Sequence, residues 1–391
     1  MDAKTQPTVD VTNTDSRPSK LLDIECLRAV AIIFTVVAHY RYAYAQTPGW
    51  VGRLDSHAHF WSGVDLFFVI SGFVISKNLI PDFAASAAAE FPGRVKLLLR
   101  FWLRRVYRLW PSSWLWAVLS LGVVAVFYRE QFQNNFYDAL AAMLQVYNFH
   151  AYACANGAPT CSHLVLGVYW SLSLEEQFYI VLPLVFFFFP RRARWVVGAL
   201  FAAGVAMSVV WPAPLAFFRF EGFCLGVFIA WAYANPQLHA LIEQHLVAPL
   251  RGLTVVITVV MLVGLAFIAH GAITNLAYPM LAVCSGVLVM LASFEKNYLG
   301  IPRLLKAPMV YLGARSYSIY LVHVPIFMAV ARGSDHFPLF EGAEGAQKVL
   351  AHGLWLAIAT GAVLLFSELN FRLVESRFRR LGHQAPAGPS P

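Results

Sequence analysis

The chain is short of charge. Only 13% of its 391 residues are Asp, Glu, Lys or Arg, about half the roughly 25% of a soluble domain. With 59% hydrophobic residues and a mean hydropathy of +0.61, that deficit excludes an ordinary water-soluble fold. Cysteine is scarce too. There are five, none in a zinc-ribbon spacing, so a structural zinc site has no support. No aromatic-plus-basic surface motif points to nucleic acid, and the net charge of +8 reads instead as a membrane orientation signal. Residues 1–20 are polar and lack the basic-then-apolar order of a cleaved signal. They are expected to form a flexible cytoplasmic tail, with the first span kept as an anchor. Residues 381–391 are expected to form a second disordered tail. No repeat appears, and no soluble domain is expected at either end of the 21–380 membrane region.

What is present is apolar sequence in windows long enough to span a bilayer, which takes about 20 residues. Ten spans are expected, at roughly 22–44, 61–80, 110–128, 168–189, 195–211, 215–234, 252–270, 275–294, 309–331 and 346–369. The predicted class is all-α, a polytopic helical bundle. One apolar stretch, Tyr137 to His150, is too short to span and is expected to be an interfacial or re-entrant helix on the outer side. Basic residues then fall on alternate loops. Lys4, Arg17, Lys20, the block from Lys77 to Arg108, Arg191, Arg192, Arg194, Arg251, Lys296, Arg303, Lys306 and the run Arg372 to Arg380 share one side; Arg41, Arg53, Arg129, Arg332 and Lys348 lie on the other. By the positive-inside rule the crowded side, with both termini, is cytoplasmic. Cys154 and Cys161 then share an outer loop, where a disulfide is favoured. Cys26, Cys224 and Cys284 lie in apolar runs and read as packing residues.

Ionisable side chains within spans are costly and point to function. In "DIECLRAVAIIFTVVAHY", Arg28 and His39 are eleven residues apart, about three helical turns, so they share a face about 16.5 Å apart along the axis. Taken singly, Arg28 reads as a snorkelling residue and His39 as a packed one; the shared face favours a joint role. Asp65 and Gly72 share a face of the second span. Asp65 alone fits solvation at the outer edge, and Gly72 fits close approach of a helix or a ligand. Ser171, Glu175 and Tyr179 recur every four residues in "YWSLSLEEQFYIVLPL", with Glu176 turned about 100° away; Glu176 also suits a cap at the helix start. Ser316, Tyr320 and His323 form a third stripe in "ARSYSIYLVHVP". His39, Asp65, Glu175 and His323 all fall in the outer halves of their spans. At the inner end stand Arg28 and the run "RFWLRRVYRLWP", with Arg104, Arg105 and Arg108. Such a run is often a plain positive flank, but its density and interleaved aromatics suit phosphate oxygens. A long ligand with phosphates at one end and a reactive group at the other fits this layout, as a coenzyme A thioester does. His57 and His59, in "HAH", read as an ordinary polar loop, and no metal is expected.

In this order, these motifs resemble the bacterial membrane-bound acyltransferase-3 family. The resemblance runs from "DIECLRAVAIIFTVVAHY" through "GVDLFFVISGFVIS", "RRVYRLWP", "WSLSLEEQFY" and "SYSIYLVHVP" to "RLVESRFRR". One departure is "IECLR" where the family usually reads "IDGLR", placing Cys26 beside Arg28. The resemblance implies transfer of an acyl group, often acetyl, from cytoplasmic acyl-CoA to a hydroxyl of a sugar, lipid-linked glycan or similar acceptor. It also implies a cell inner (cytoplasmic) membrane location. Acyl-CoA is the expected co-substrate, with no bound cofactor. The arginine-x10-histidine pattern maps onto Arg28 and His39, and the arginine motif onto Arg104, Arg105 and Arg108. The hydrolase-like domain fused in some members is not expected here. On this reading His39 is a general base, and Glu175 or Asp65 orients it. Tyr320, His323 or a serine hydroxyl would donate to the oxyanion. An acyl-histidine intermediate stays open. The competing class is a proton-coupled transporter, which the lack of an inverted repeat disfavours.

Overall fold

A bilayer offers no water to backbone polar groups, so a spanning segment must satisfy them internally, and a helix does so. In the structure, a computed structural model, residues 21–40, 58–85, 91–162, 165–210, 216–269, 276–336 and 345–384 are described, and none of them forms a strand. The helices are α1 Leu22–His39, α2 Gly63–Ala85, α3 Phe91–Phe127, α4 Phe132–Met143, α5 Tyr147–Ala155, α6 Tyr169–Phe188, α7 Ala193–Val210, α8 Glu221–Ala234, α9 Pro236–Ile242, α10 Thr254–Ile268, α11 Ala277–Ser293, α12 Arg303–Ala314, α13 Ser316–His336, α14 Gly345–Asn370 and α15 Ser376–Gln384. The tail expected at 1–20 lies outside the described residues, as do 385–391. Residues 381–384 continue α15 and are not part of a tail.

Where they are described, all ten expected windows are mainly helical, but their lengths differ from those expected. Among the described residues, six helices are long and apolar enough to cross a membrane, and up to eight if two bent pairs each count as one span. One bent pair is α12 and α13, which meet at 73°, so the span expected at 309–331 is broken next to Arg315. That residue leaves helical geometry at φ −108° and ψ 5°. Its guanidinium joins Glu368 of α14, with one contact at 3.2 Å. The third span, expected at 110–128, does not start at 110. It lies inside α3, a 37-residue helix about 55 Å long, well beyond the ~30 Å of hydrocarbon. Its amino-terminal half carries Arg94, Arg100, Arg104, Arg105 and Arg108.

The short segment expected on the outer side falls on two helices, α4 and α5. The chain breaks between them at Gln145, where φ is 58°. Its carbonyl accepts a hydrogen bond from the Gln177 amide at 3.0 Å. In the last turn of α5, Cys154 is joined in a disulfide to Cys161, which lies beyond the helix, their Cα atoms 5.6 Å apart.

Helix α2 is the hub. The window it shares with the 3₁₀ turn Phe60–Ser62 is 72% buried, against 17% for the window at 349–384, which faces outward. Its closest neighbour is α8. A Cβ on Gly72 would lie 2.1 Å from the Phe223 carbonyl oxygen, and one on Gly226 2.2 Å from that of Val69. Backbone therefore meets backbone, as small residues allow between membrane helices. The shared face of Asp65 and Gly72 points at the segment 219–226.

Candidate active site

Two cavities abut within the bundle. The inner one, about 60 Å³, is lined by Arg28, Arg105 and Arg108, by Ser171, Glu175 and Tyr179 of α6, and by Ser316, Tyr317 and Tyr320 of α13. The outer one, about 270 Å³, is lined by His39, Trp61, Trp170, Phe217 and Arg219. Val64 and Tyr320 line both. The three polar stripes of the sequence therefore converge, and Arg28 and His39 reach different cavities from opposite ends of α1.

His39 closes the last turn of α1. Its Nδ1 lies 2.8 Å from the Thr35 carbonyl oxygen and 3.3 Å from Nε2 of His323. The second ring is fully buried, with Nδ1 2.8 Å from the Tyr320 carbonyl oxygen. Carbonyls only accept, so both rings carry the proton on Nδ1. His323 Nε2 is then an acceptor for the His39 N–H, and the lone pair of His39 falls on Nε2. The rings meet edge to face, centroids 5.1 Å apart.

Neither expected carboxylate orients His39. Asp65 is buried and ion-paired with Arg219, Oδ1 to Nε at 3.0 Å. Glu175 accepts the Ser71 hydroxyl at 2.5 Å and the Tyr179 hydroxyl. A carboxylate in an apolar bundle is costly without donors, and each of these took the donors nearest to it. Thr35 and His323 hold the imidazole instead.

The Tyr320 hydroxyl meets Ser171 Oγ at 2.6 Å and donates to the Val168 carbonyl at 3.0 Å. This bond pins the tyrosine that stands between the cavities. Arg105 lies over the Tyr179 and Phe101 rings, 5.3 and 5.4 Å from their centroids, a cation–π frame for a desolvated guanidinium. Arg28 contacts Glu25 at 3.4 Å. Two expected binding residues are not in the lining: Arg104 is exposed on α3, and Glu176 lies beside Trp110, Arg105 and Arg108. His323 stands behind His39 and likewise lines neither cavity. His57 of the "HAH" pair lies outside the described residues. The described His, Cys and carboxylate groups cluster only at His150, Cys154 and Cys161, where the disulfide takes up both thiolates.

Sequence reading missed Arg219, Glu221, Ser71 and Tyr317. Arg219 is buried, its guanidinium 4.7 to 4.9 Å from the centroids of Trp61, Trp170 and Tyr278. Glu221 is buried and accepts the Ser208 hydroxyl at 3.0 Å. The signal was there: "FFRFEGF" puts two opposite charges at the head of an apolar run. Ser71 and Tyr317 carried none, since hydroxyls are common in spans.

Comparison with known proteins identifies the family. The family model described as an acyltransferase domain matches residues 21–367. The peptidoglycan O-acetyltransferase OatA of Listeria monocytogenes is 26% identical over 92% of this chain and 56% of its own length. The O-acetyltransferase OatA of Staphylococcus aureus is 26% identical over 94% of this chain and 58% of its own. The chain thus spans a little over half the length of these curated relatives. No solved structure matches it.

Proposed function

Because this chain belongs to the acyltransferase-3 family, we propose that it transfers an acyl group, acetyl in the first instance, from cytoplasmic acyl-CoA to a glycan hydroxyl at the outer face of the inner membrane. The observation that carries the reading is the pair of cavities meeting at Tyr320, one arginine-lined and the other holding His39. Arginine suits the donor's phosphates, and an imidazole near pH 7 suits proton removal from a hydroxyl. The names of both OatA relatives support an acetyl group, and that of the Listeria protein, a peptidoglycan O-acetyltransferase, supports a glycan acceptor. Orientation is supported by the basic block on α3 and by the Cys154–Cys161 bond, which persists in an oxidising compartment.

In the proposed step, the acceptor hydroxyl attacks the thioester carbonyl from the outer cavity. His39 Nε2 takes its proton, and the resulting imidazolium is held by the Thr35 carbonyl through Nδ1–H. The C–S bond then breaks, and the departing thiolate of coenzyme A takes that proton back. At about 60 Å³ the inner cavity holds little more than water, so the pantetheine arm enters by displacing the arginine side chains at its mouth. Glu175, held by the Ser71 hydroxyl, positions Tyr179, and through it Arg105.

The test is acyl transfer by purified protein in bilayer discs, read as thiol release from acetyl-CoA with a glycan acceptor. His39→Ala is expected to lower turnover by at least about 100-fold, the range of a lost general base. Near-normal turnover in folded variant would refute the assignment.

A further inference from the structure

The carboxy-terminal helix α15 lies past residue 367, where the family match ends. Nothing in the site so far gives it a part. It is short and basic, with Arg377, Arg379, Arg380 and His383 all exposed. Two contacts fix where it sits. Just before it, the π-helical turn Phe371–Glu375 ends in Glu375, which is buried and accepts the Ser318 hydroxyl at 2.7 Å. At its far end, Gly382 packs on α3 at the arginine run: a Cβ there would stand 2.8 Å from Cβ of Tyr107 and 3.6 Å from Cα of Arg104. The absence of a side chain at Gly382 lets the two helices touch.

This docking gathers charge. Arg28, Arg108 and Arg379 all act on Glu375, and Arg104, Arg105, Arg108 and Arg379 all act on His383. Arg379 thus shares its surroundings with the arginines of the inner cavity and with Arg104 on the rim. The arginines that line the cavity have carboxyl groups beside them, Glu25 for Arg28 and Glu175 and Glu176 for Arg105. At the rim, Arg104 has Asp82 in its surroundings but stands exposed, as Arg379 does, and exposed guanidinium groups so placed suit an anion with several phosphates.

We propose that α15 forms the outer wall of the donor site, where Arg379 and Arg104, flanked by His383, bind the nucleotide phosphates of acyl-CoA while Arg105 and Arg108 line the path of its arm. This deepens the function proposed above and rests on it. It gives Arg104 a place outside the cavity lining, and it divides the donor between two layers of arginine. The same phosphate chemistry could come from an anionic lipid headgroup, and the test separates the two sources.

The experiment compares wild type, Arg379→Gln, Arg379→Lys and Arg380→Gln as full-length protein in bilayer discs. Arg380 is the control, because its guanidinium is bonded back to the Ser376 carbonyl at 3.3 Å. KM is measured for acetyl-CoA and for acetyl-pantetheine, which has no phosphate. Arg379→Gln is expected to raise KM for acetyl-CoA about 3–10-fold, the scale of one partly exposed charge-assisted contact. KM for acetyl-pantetheine should not move, Arg379→Lys should recover part of the loss, and Arg380→Gln should match wild type. An unchanged KM for acetyl-CoA, or an equal rise for both donors, would overturn the proposal. So would a defect that disappears in discs of phosphatidylcholine alone and returns with phosphatidylglycerol, since Arg379 would then be reading lipid. A wild type that turned over neither donor would instead overturn the donor assignment itself.

Discussion

His39 depends on a second imidazole for its proton arrangement. His323 has no route to solvent and offers only Nε2 to its neighbour, 3.3 Å away. Replacing it by phenylalanine keeps the bulk and removes the acceptor. We expect His323→Phe to lower kcat about 10–100-fold, the scale of a misaligned catalytic group, with KM for acetyl-CoA nearly unchanged; a rise in KM alone would show that His323 serves donor binding instead. The Asp65–Arg219 pair is a different kind of residue-level feature. Removing one partner of a buried ion pair strands the other charge, typically at a cost of about 3–5 kcal/mol. Asp65→Asn should therefore destabilise the protein more than the double variant Asp65→Asn with Arg219→Gln. Thermal aggregation in detergent reads the difference, and a loss in the double variant equal to the sum of the two single losses would mean that the pair is uncoupled.

Among the elements, α2 and α8 form the tightest junction. Gly226→Leu would drive a side chain into the Val69 carbonyl, 2.2 Å from the new Cβ. Backbone cannot yield as a flexible side chain does, so the cost should exceed the usual 1–3 kcal/mol of overpacking. The expected outcome is loss of folded protein on gel filtration, whereas a monodisperse peak at wild-type yield would show that the helices can part. The ten helical windows were legible in the sequence because lipid imposes length and apolarity on every spanning segment. Three polar stripes were legible because a spacing of three or four residues aligns side chains on a helix whatever its partners. Partners themselves were not legible. Whether Asp65 turns to His39 or to Arg219 depends on where a helix about 150 residues downstream packs, and no local pattern carries that. The same reason hid the bend at Arg315, which joins a glutamate on another helix. Gln145 at φ 58° was hidden because glutamine is not a residue that announces a left-handed turn.

On the scale of the whole molecule, the proposed orientation makes a prediction about access. Cys26, Cys224 and Cys284 are buried and should stay silent to a membrane-impermeant maleimide. In intact spheroplasts, Cys154 and Cys161 should label only after reduction, and an added Arg377→Cys only after permeabilisation. Labelling of the added thiol in intact spheroplasts would invert the topology and place the arginine mouth outside.

The tyrosine that stands between the two cavities has a consequence for energy conservation. A protein that handles a solute from each side of an energised bilayer risks becoming a leak for protons and sodium. With Tyr320 clasped to Ser171 and Val168, one aromatic ring stands between the two cavities among the described residues; under the proposed function, the acyl carbon would change hands across it without a through-path along which the membrane potential could discharge.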